Sequence, residues 1–220
     1  NPIPTAASDP PLPHDSAGVG YRPLWELTPE DFAQFAVTPL SKAADPVWAV
    51  PVTLPGTRQS HCQLNWSMEL FDGSRLTEPQ HAKRLAWAQK LMALLLHAPS
   101  KGEAPAATSI SAFQQGFKWL FSWMVERNIH SPDELDPSQY IEDLPRYIAE
   151  ANEEDEDISE GQVRLALHIV PFPWSERRLL RKWGVLSLTK DPLRDHGIDH
   201  YGKVLATRSI GWIPPLPDEV

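Results

Sequence analysis

The stretch SISAFQQGFKWLFSWMVERNI, residues 109–129, sets Ile110, Phe113, Phe117, Leu120, Phe121 and Met124 three or four residues apart. That spacing makes one broad stripe on an α-helix, whereas a strand, with its period of two, scatters the same residues over both faces. A stripe this aromatic must be covered by other apolar surfaces, which commits the surrounding chain to a helical core. Trp119 and Trp123, four apart, fit that core better than a platform for stacking bases. Helical partners are legible on both sides. After the turn Asp72-Gly73, Thr77 is placed to cap a helix beginning at Glu78-Pro79. Its stripe is Leu85, Trp87, Ala88, Leu91, Met92, Leu95 and Leu96, and Pro99 ends it. Downstream, Asp136 as N-cap and Pro137 at the first helical position open a helix with Tyr140, Ile141, Leu144 and Ile148 on one face. Pro145 is expected to kink it. Ser159 and Gln162 have the spacing of a capping box for a fourth helix, QVRLALHIV, ended by Pro171 and Pro173. A fifth, WSERRLLRKWG, starts at Trp174 and stops at Gly184.

The expected fold class is therefore mainly α, a four- to five-helix bundle over residues 77–185. The 23 prolines of the 220-residue chain lie largely outside it. Residues 1–23, rich in Pro, Ala, Ser and Gly, read as an extended arm or linker. Residues 24–76 read as an irregular, partly extended α+β section. In it Thr28 caps a short helix at Pro29, and Pro46, Pro51 and Pro55 each remove a ladder donor, which argues against a regular central strand. Residues 186–220, ending in WIPPLPDEV, read as a tail or linker.

Several function classes are disfavoured at once. A single cysteine, Cys62, rules out an internal disulfide framework and a multi-cysteine zinc site. No apolar run approaches the roughly 18 residues of a membrane span, and no basic segment leads into an apolar one at the N-terminus. The expectation is a cytoplasmic protein with no membrane partner, no cofactor and no small-molecule substrate. The nucleophile-elbow, zinc-protease, phosphate-loop and dinucleotide-binding motifs are all missing. Cys62 adjoins His61, but sequence neighbours do not make a thiolate–imidazole pair, since such sets are assembled across a fold. His196 and His200, with Asp195 and Asp199, are ligand types for a metal; Gly197 between them weakens a helical i,i+4 geometry, and a polar turn is the preferred reading. Glu153 to Asp157 lacks the alternate-residue pattern of a calcium loop and reads as a solvated acidic loop. No catalytic or metal-binding residues are assigned.

The net charge of −9 conceals a segregation. Residues 79–127 hold 6 basic and 2 acidic side chains and residues 161–208 hold 9 and 4, whereas residues 128–160 hold 1 and 12. In the fifth helix Arg177, Arg178, Arg181 and Lys182 form one face opposite Leu179, Leu180 and Trp183, a face able to neutralise several phosphates. Lys83, Arg84, Lys90, Lys118 and Arg164 add charge from other helices. Ser109, Ser111, Gln114 and Gln115 are side-chain types that touch phosphates or base edges. The competing reading of the fifth-helix face is an ordinary solvated surface opposite a core stripe, and the alternative function is a helical protein–protein interaction module that uses exposed apolar residues and the acidic 153–157 loop to hold a basic partner, with no DNA role.

The order of residues sharpens the expectation. TSISAFQQGFKWLFSWMVERNIHSPDELDPSQYIEDLPRYIAE resembles the core-binding, SAM-like N-terminal domain of tyrosine site-specific recombinases, the phage-type integrases. The resemblance rests on Ser109 or Ser111 at a helix start, the aromatic run 117–123, Glu126-Arg127, the aspartate-rich cap at 133–136 and the helix from Tyr140 to Tyr147. LNWSMELFDGSRLTEPQHAKRLAWAQKLMALLL is similar to the segment leading into that domain, so the resemblance covers about residues 62–185. It implies a module that clamps double-stranded DNA, nucleoid-associated when bound, beside other recombinase protomers. It also implies that catalysis belongs to a domain that would begin where this chain stops, approached by a linker like IPPLPDEV. His81-Ala82-Lys83-Arg84 matches that family's catalytic H-x-x-R by letter, but lies before the core-binding helices and reads as coincidence.

Overall fold

Thr28 and Pro29 start the first helix in the way their types dictate. The Thr28 hydroxyl accepts the Asp31 N–H, and Pro29 fills the first position of α1, Pro29–Gln34. The computed structural model describes residues 22–52, 61–99, 104–151, 159–185, 188, 190–193 and 196–206. The expected arm 1–21, Pro55, the acidic run 153–157, Asp195 and the proline-rich end lie outside the described residues. β1, Ala36–Thr38, and β2, Ser41–Lys42, form a small antiparallel pair. β3, Val47–Pro51, then pairs antiparallel with β4, His61–Asn65, placing Trp48 opposite Leu64 and Val50 opposite Cys62. The prolines are accommodated because this ladder has only two strands: Pro46 precedes it and Pro51 closes it.

α2 spans Ala82–His97 and starts later than expected, because Pro79–His81 forms a 3-10 turn first and no side chain caps the helix. α3, Ile110–Glu126, buries its whole predicted stripe together with Trp119 and Trp123. It ends at Asn128, whose φ of 56° lets Asn128 N–H reach Val125 O and Ile129 N–H reach Met124 O, a left-handed cap. α4, Pro137–Ala151, runs through Pro145 without interruption. The Tyr140 hydroxyl at its start donates to Ala166 O at 3.2 Å, and burial pushes that phenol well above its ordinary pKa.

α5, Glu160–Leu167, has the predicted capping box, with Ser159 accepting the Gln162 N–H and Gln162 returning to Ser159 N–H. The next segment departs from expectation. Pro171 is not a terminator but the first residue of α6, Pro171–Ser175, where its missing N–H costs nothing. The fifth helix is split at Glu176, so α7 covers only Arg177–Lys182. Gly184, with φ 70°, ends it as expected: Gly184 N–H bonds Arg181 O and Val185 N–H bonds Leu180 O. Within the segment read as a tail, α8, Ile198–Leu205, packs on α5. Arg164 pairs there with Glu160 and, at 3.3 Å, with Asp199.

The protein is mainly helical. One hydrophobic cluster runs from Leu24 to Leu193 and joins the strands to the helices. Trp48 meets Trp66 edge-on at 5.0 Å and Trp66 meets Phe117 at 5.8 Å, so β3, β4 and α3 share one aromatic seam. Asn65 N–H donates to Gln114 Oε1 across the same junction. No helix among the described residues is long and apolar enough to cross a membrane.

Candidate nucleic-acid interface

α2 reads AKRLAWAQKLMALLLH and α7 reads RRLLRK, and neither contains a carboxylate. Each buries its apolar side and leaves cations outside: Lys83, Arg178, Arg181 and Lys182 are exposed and Lys90 is half-buried. The two helices touch through Lys90, whose Nζ lies 3.5 Å from Trp183 O and 5.3 Å from the centre of the Trp183 ring. Burial lowers the Lys90 ammonium below its ordinary pKa of 10.5. Lys182 Nζ stands 5.0 Å over the Trp25 ring.

Two clefts meet at Ala86 and Lys90. The larger, about 540 Å³, is walled by Trp25, Phe32, Lys90, Lys182 and Trp183. The smaller, about 250 Å³, lies toward Lys83, Ser131 and Gly184. Together they make a groove along the first half of α2 with cations on both sides. Among the described residues no carboxylate lines either cleft, although Glu26 and Glu30 are exposed nearby in sequence.

Only part of the predicted DNA-contact set gathers here. Lys83, Lys90 and Lys182 line the groove, whereas Arg178 and Arg181 are exposed on α7 and line neither cleft. Arg177 is turned inward, its guanidinium 3.9 Å from the Trp174 ring and bonded to Trp174 O at 2.7 Å. Arg164 holds α8 to α5. Gln114 holds β4 to α3, and Lys118 lies 4.7 Å over Phe71. Ser111 and Gln115 are exposed on α3. Ser109 lines a separate cavity of about 420 Å³ with Leu95, Phe113, His168 and Glu176. Leu95 lies twelve residues beyond Lys83, roughly 18 Å along α2. The polar start of α3 therefore lines a different cavity from the basic groove, whose near edge at Lys90 is five residues from Leu95. Trp25 is not legible as a site residue: nothing in LWELTPE announces that its ring will face Lys182.

Arg84 corrects the expectation most sharply. It is 3% exposed, donates to His81 Nδ1 at 2.8 Å and also donates to Ile129 O, so it fastens α2 to the cap of α3 and is not available to phosphate. An arginine only donates, so His81 Nδ1 must accept and Nε2 must carry the proton. Nε2 then donates to Ser74 Oγ at 2.8 Å, and Ser74 donates to Asp72 Oδ1 at 2.6 Å. In this tautomer His81 cannot take the Ser74 proton, so the pair is not an activated nucleophile despite its short contact. Burial alone raises the Asp72 carboxyl, but the hydrogen bonds from Ser74 outweigh it and hold the pKa below 3.8.

His81 sits below its ordinary pKa of 6.5 through desolvation and then the Arg84 charge, with Asp72 and Glu78 opposing; His168 is lowered by desolvation. The folded protein thus resists protonation where the unfolded chain accepts it, and stability falls as pH drops through 6.5 toward the folded values. Protonating His81 also turns its Nδ1 donor against donor toward Arg84. Urea melts at pH 7.5 and pH 5.0 are expected to show a lower midpoint at pH 5.0. An unchanged midpoint would exclude a neutral His81 buried against Arg84.

Cys62 is half-buried in β4 opposite Val50. His196 and His200 stack with ring centres 4.1 Å apart at the start of α8. Among the described residues no group of three or more His, Cys, Asp or Glu is disposed to hold a metal ion. Comparisons with protein-family models, with curated proteins and with solved structures found no match to this chain.

Proposed function

We propose that this chain is a double-stranded DNA-binding module in which the groove between α2 and α7 lies against phosphates. The observation that carries the reading is the pairing of two carboxylate-free helices. They set Lys83, Lys90 and Lys182 around one groove, with Arg178 and Arg181 exposed on the adjoining helix, in a protein whose net charge is −9. Concentrating cations along a groove that, among the described residues, no carboxylate lines gives a local field that attracts a polyanion despite the overall sign. The resemblance in residue order extends the proposal: the module serves as the core-binding half of a tyrosine recombinase, positions the site and leaves strand cleavage to another domain.

These five cations allow up to about five phosphate contacts, which corresponds to a log–log salt slope of up to roughly −4.5 on duplex DNA. Anisotropy titrations of a labelled duplex between 50 and 300 mM salt measure it. A slope near zero would leave no phosphate contact and end the proposal. A second reading, a protein-interaction module, is favoured by Leu165 and Val204, which α5 and α8 leave 42% and 63% exposed.

A further inference from the structure

We propose that the larger cleft, between Trp25 and Trp183, receives one unpaired nucleotide, with its base against the indoles and its phosphate at Lys90 and Lys182. The proposal rests on the reading of the groove as a DNA site and deepens it. A duplex presents only stacked bases and is far too wide to enter a cleft of about 540 Å³, whereas one flat group with an attached anion fits a pocket of this class. The walls match both halves of such a ligand. Trp25 is half-buried, so part of its indole is reachable from solvent and is the face on which a base stacks, while Trp183, 6% exposed and braced edge-on by Phe32 at 4.9 Å, forms the floor of the cleft. Each ammonium rests over an indole, Lys182 at 5.0 Å from Trp25 and Lys90 at 5.3 Å from Trp183. A phosphate offers both cations a stronger partner than a ring face. Drawing them off uncovers the aromatic surface on which a base stacks, so the two parts of the ligand assist each other. Gln89, also in the wall, donates from Nε2 to Ala43 O at 3.3 Å and keeps its Oε1 to accept from a base edge.

The same chemistry is presented by a free mononucleotide and by the single-stranded end of a DNA, and three probes separate them. These are adenosine monophosphate, a blunt duplex, and that duplex with a three-nucleotide overhang. The overhang is expected to tighten binding about tenfold over the blunt duplex, the usual scale for stacking one base. Trp25→Ala should abolish that gain, so that the overhang and blunt duplexes bind the variant equally. Trp25→Phe, which keeps an aromatic face, should preserve most of it, and Lys182→Gln should reduce it. Quenching of tryptophan fluorescence by adenosine monophosphate, lost in Trp25→Ala, supports a free nucleotide as ligand. An overhang gain without quenching supports the strand end. If the overhang adds nothing and the mononucleotide is silent, the cleft proposal falls, and steeply salt-dependent blunt binding would still support the duplex reading. If overhang or mononucleotide binds and the blunt duplex does not, the cleft stands and the duplex reading falls.

Discussion

Arg178→Glu combined with Arg181→Glu is expected to weaken duplex binding by about 100-fold at moderate salt. The corresponding double alanine variant should make the salt slope shallower by about two, one for each phosphate no longer neutralised. Both arginines are exposed on α7, whose apolar side is anchored by Leu180 and whose end is fixed by Gly184. Their replacement therefore removes charge from the exposed side of α7 while leaving the packing of α7 on α2 intact, and the unfolding midpoint should move little. The effect should be uniform over DNA sequences, because phosphate contacts position a protein without reading bases. Anisotropy titrations on two unrelated duplexes, with a urea melt of the same sample, check all of this together. Equal affinity before and after charge reversal would remove α7 from any DNA interface.

Arg84→Ala is expected to do the opposite: to lower stability by about 3 kcal/mol or more while sparing the DNA affinity of the molecules that remain folded. Arg84 is a cation by type, one residue from the exposed Lys83, yet its guanidinium closes the junction between the start of α2 and the cap of α3. Truncation opens a cavity and strips the Ile129 carbonyl and His81 Nδ1 of their donor, and an unsatisfied buried polar group is costly. Arg84→Met, which retains most of the volume, should lose less. Urea denaturation of both variants gives the ordering. A variant as stable as the parent but weakened on DNA would reverse the assignment of Arg84 from the core to the interface.

Much of the fold is legible in local spacing. The apolar stripes of α2 and α3, the Thr28 cap, the Ser159–Gln162 capping box and the Gly184 stop all depend on residues within a turn or two of one another, and each forms as its spacing predicts. Where local spacing misleads, the deciding interaction comes from elsewhere in the chain. α8 contains Gly202, a poor helix former, and forms in a segment that reads as linker because Gly202 lets the helix sit against α5. A Cβ there would come within 3.0 Å of Arg164 Cγ. Pro171 reads as a stop and is a start, since the same missing N–H suits the end of one helix and the first turn of the next.

The candidate site divides along the same line. That residues 82–97 and 177–182 carry cations and no acids is a property of composition, legible in the amino-acid sequence alone. Which of those cations face outward is not. Arg84 and Arg177 are chemically equal to Arg178 and Arg181, but the first two are held by Ile129 and Trp174. The sequence by itself determined a helical core and a separation of charge, because periodicity and composition act locally. Tertiary packing alone decided which cations remain at the surface and brought Trp25 and Trp183 to the same cleft, because burial depends on what the rest of the chain places opposite each side chain.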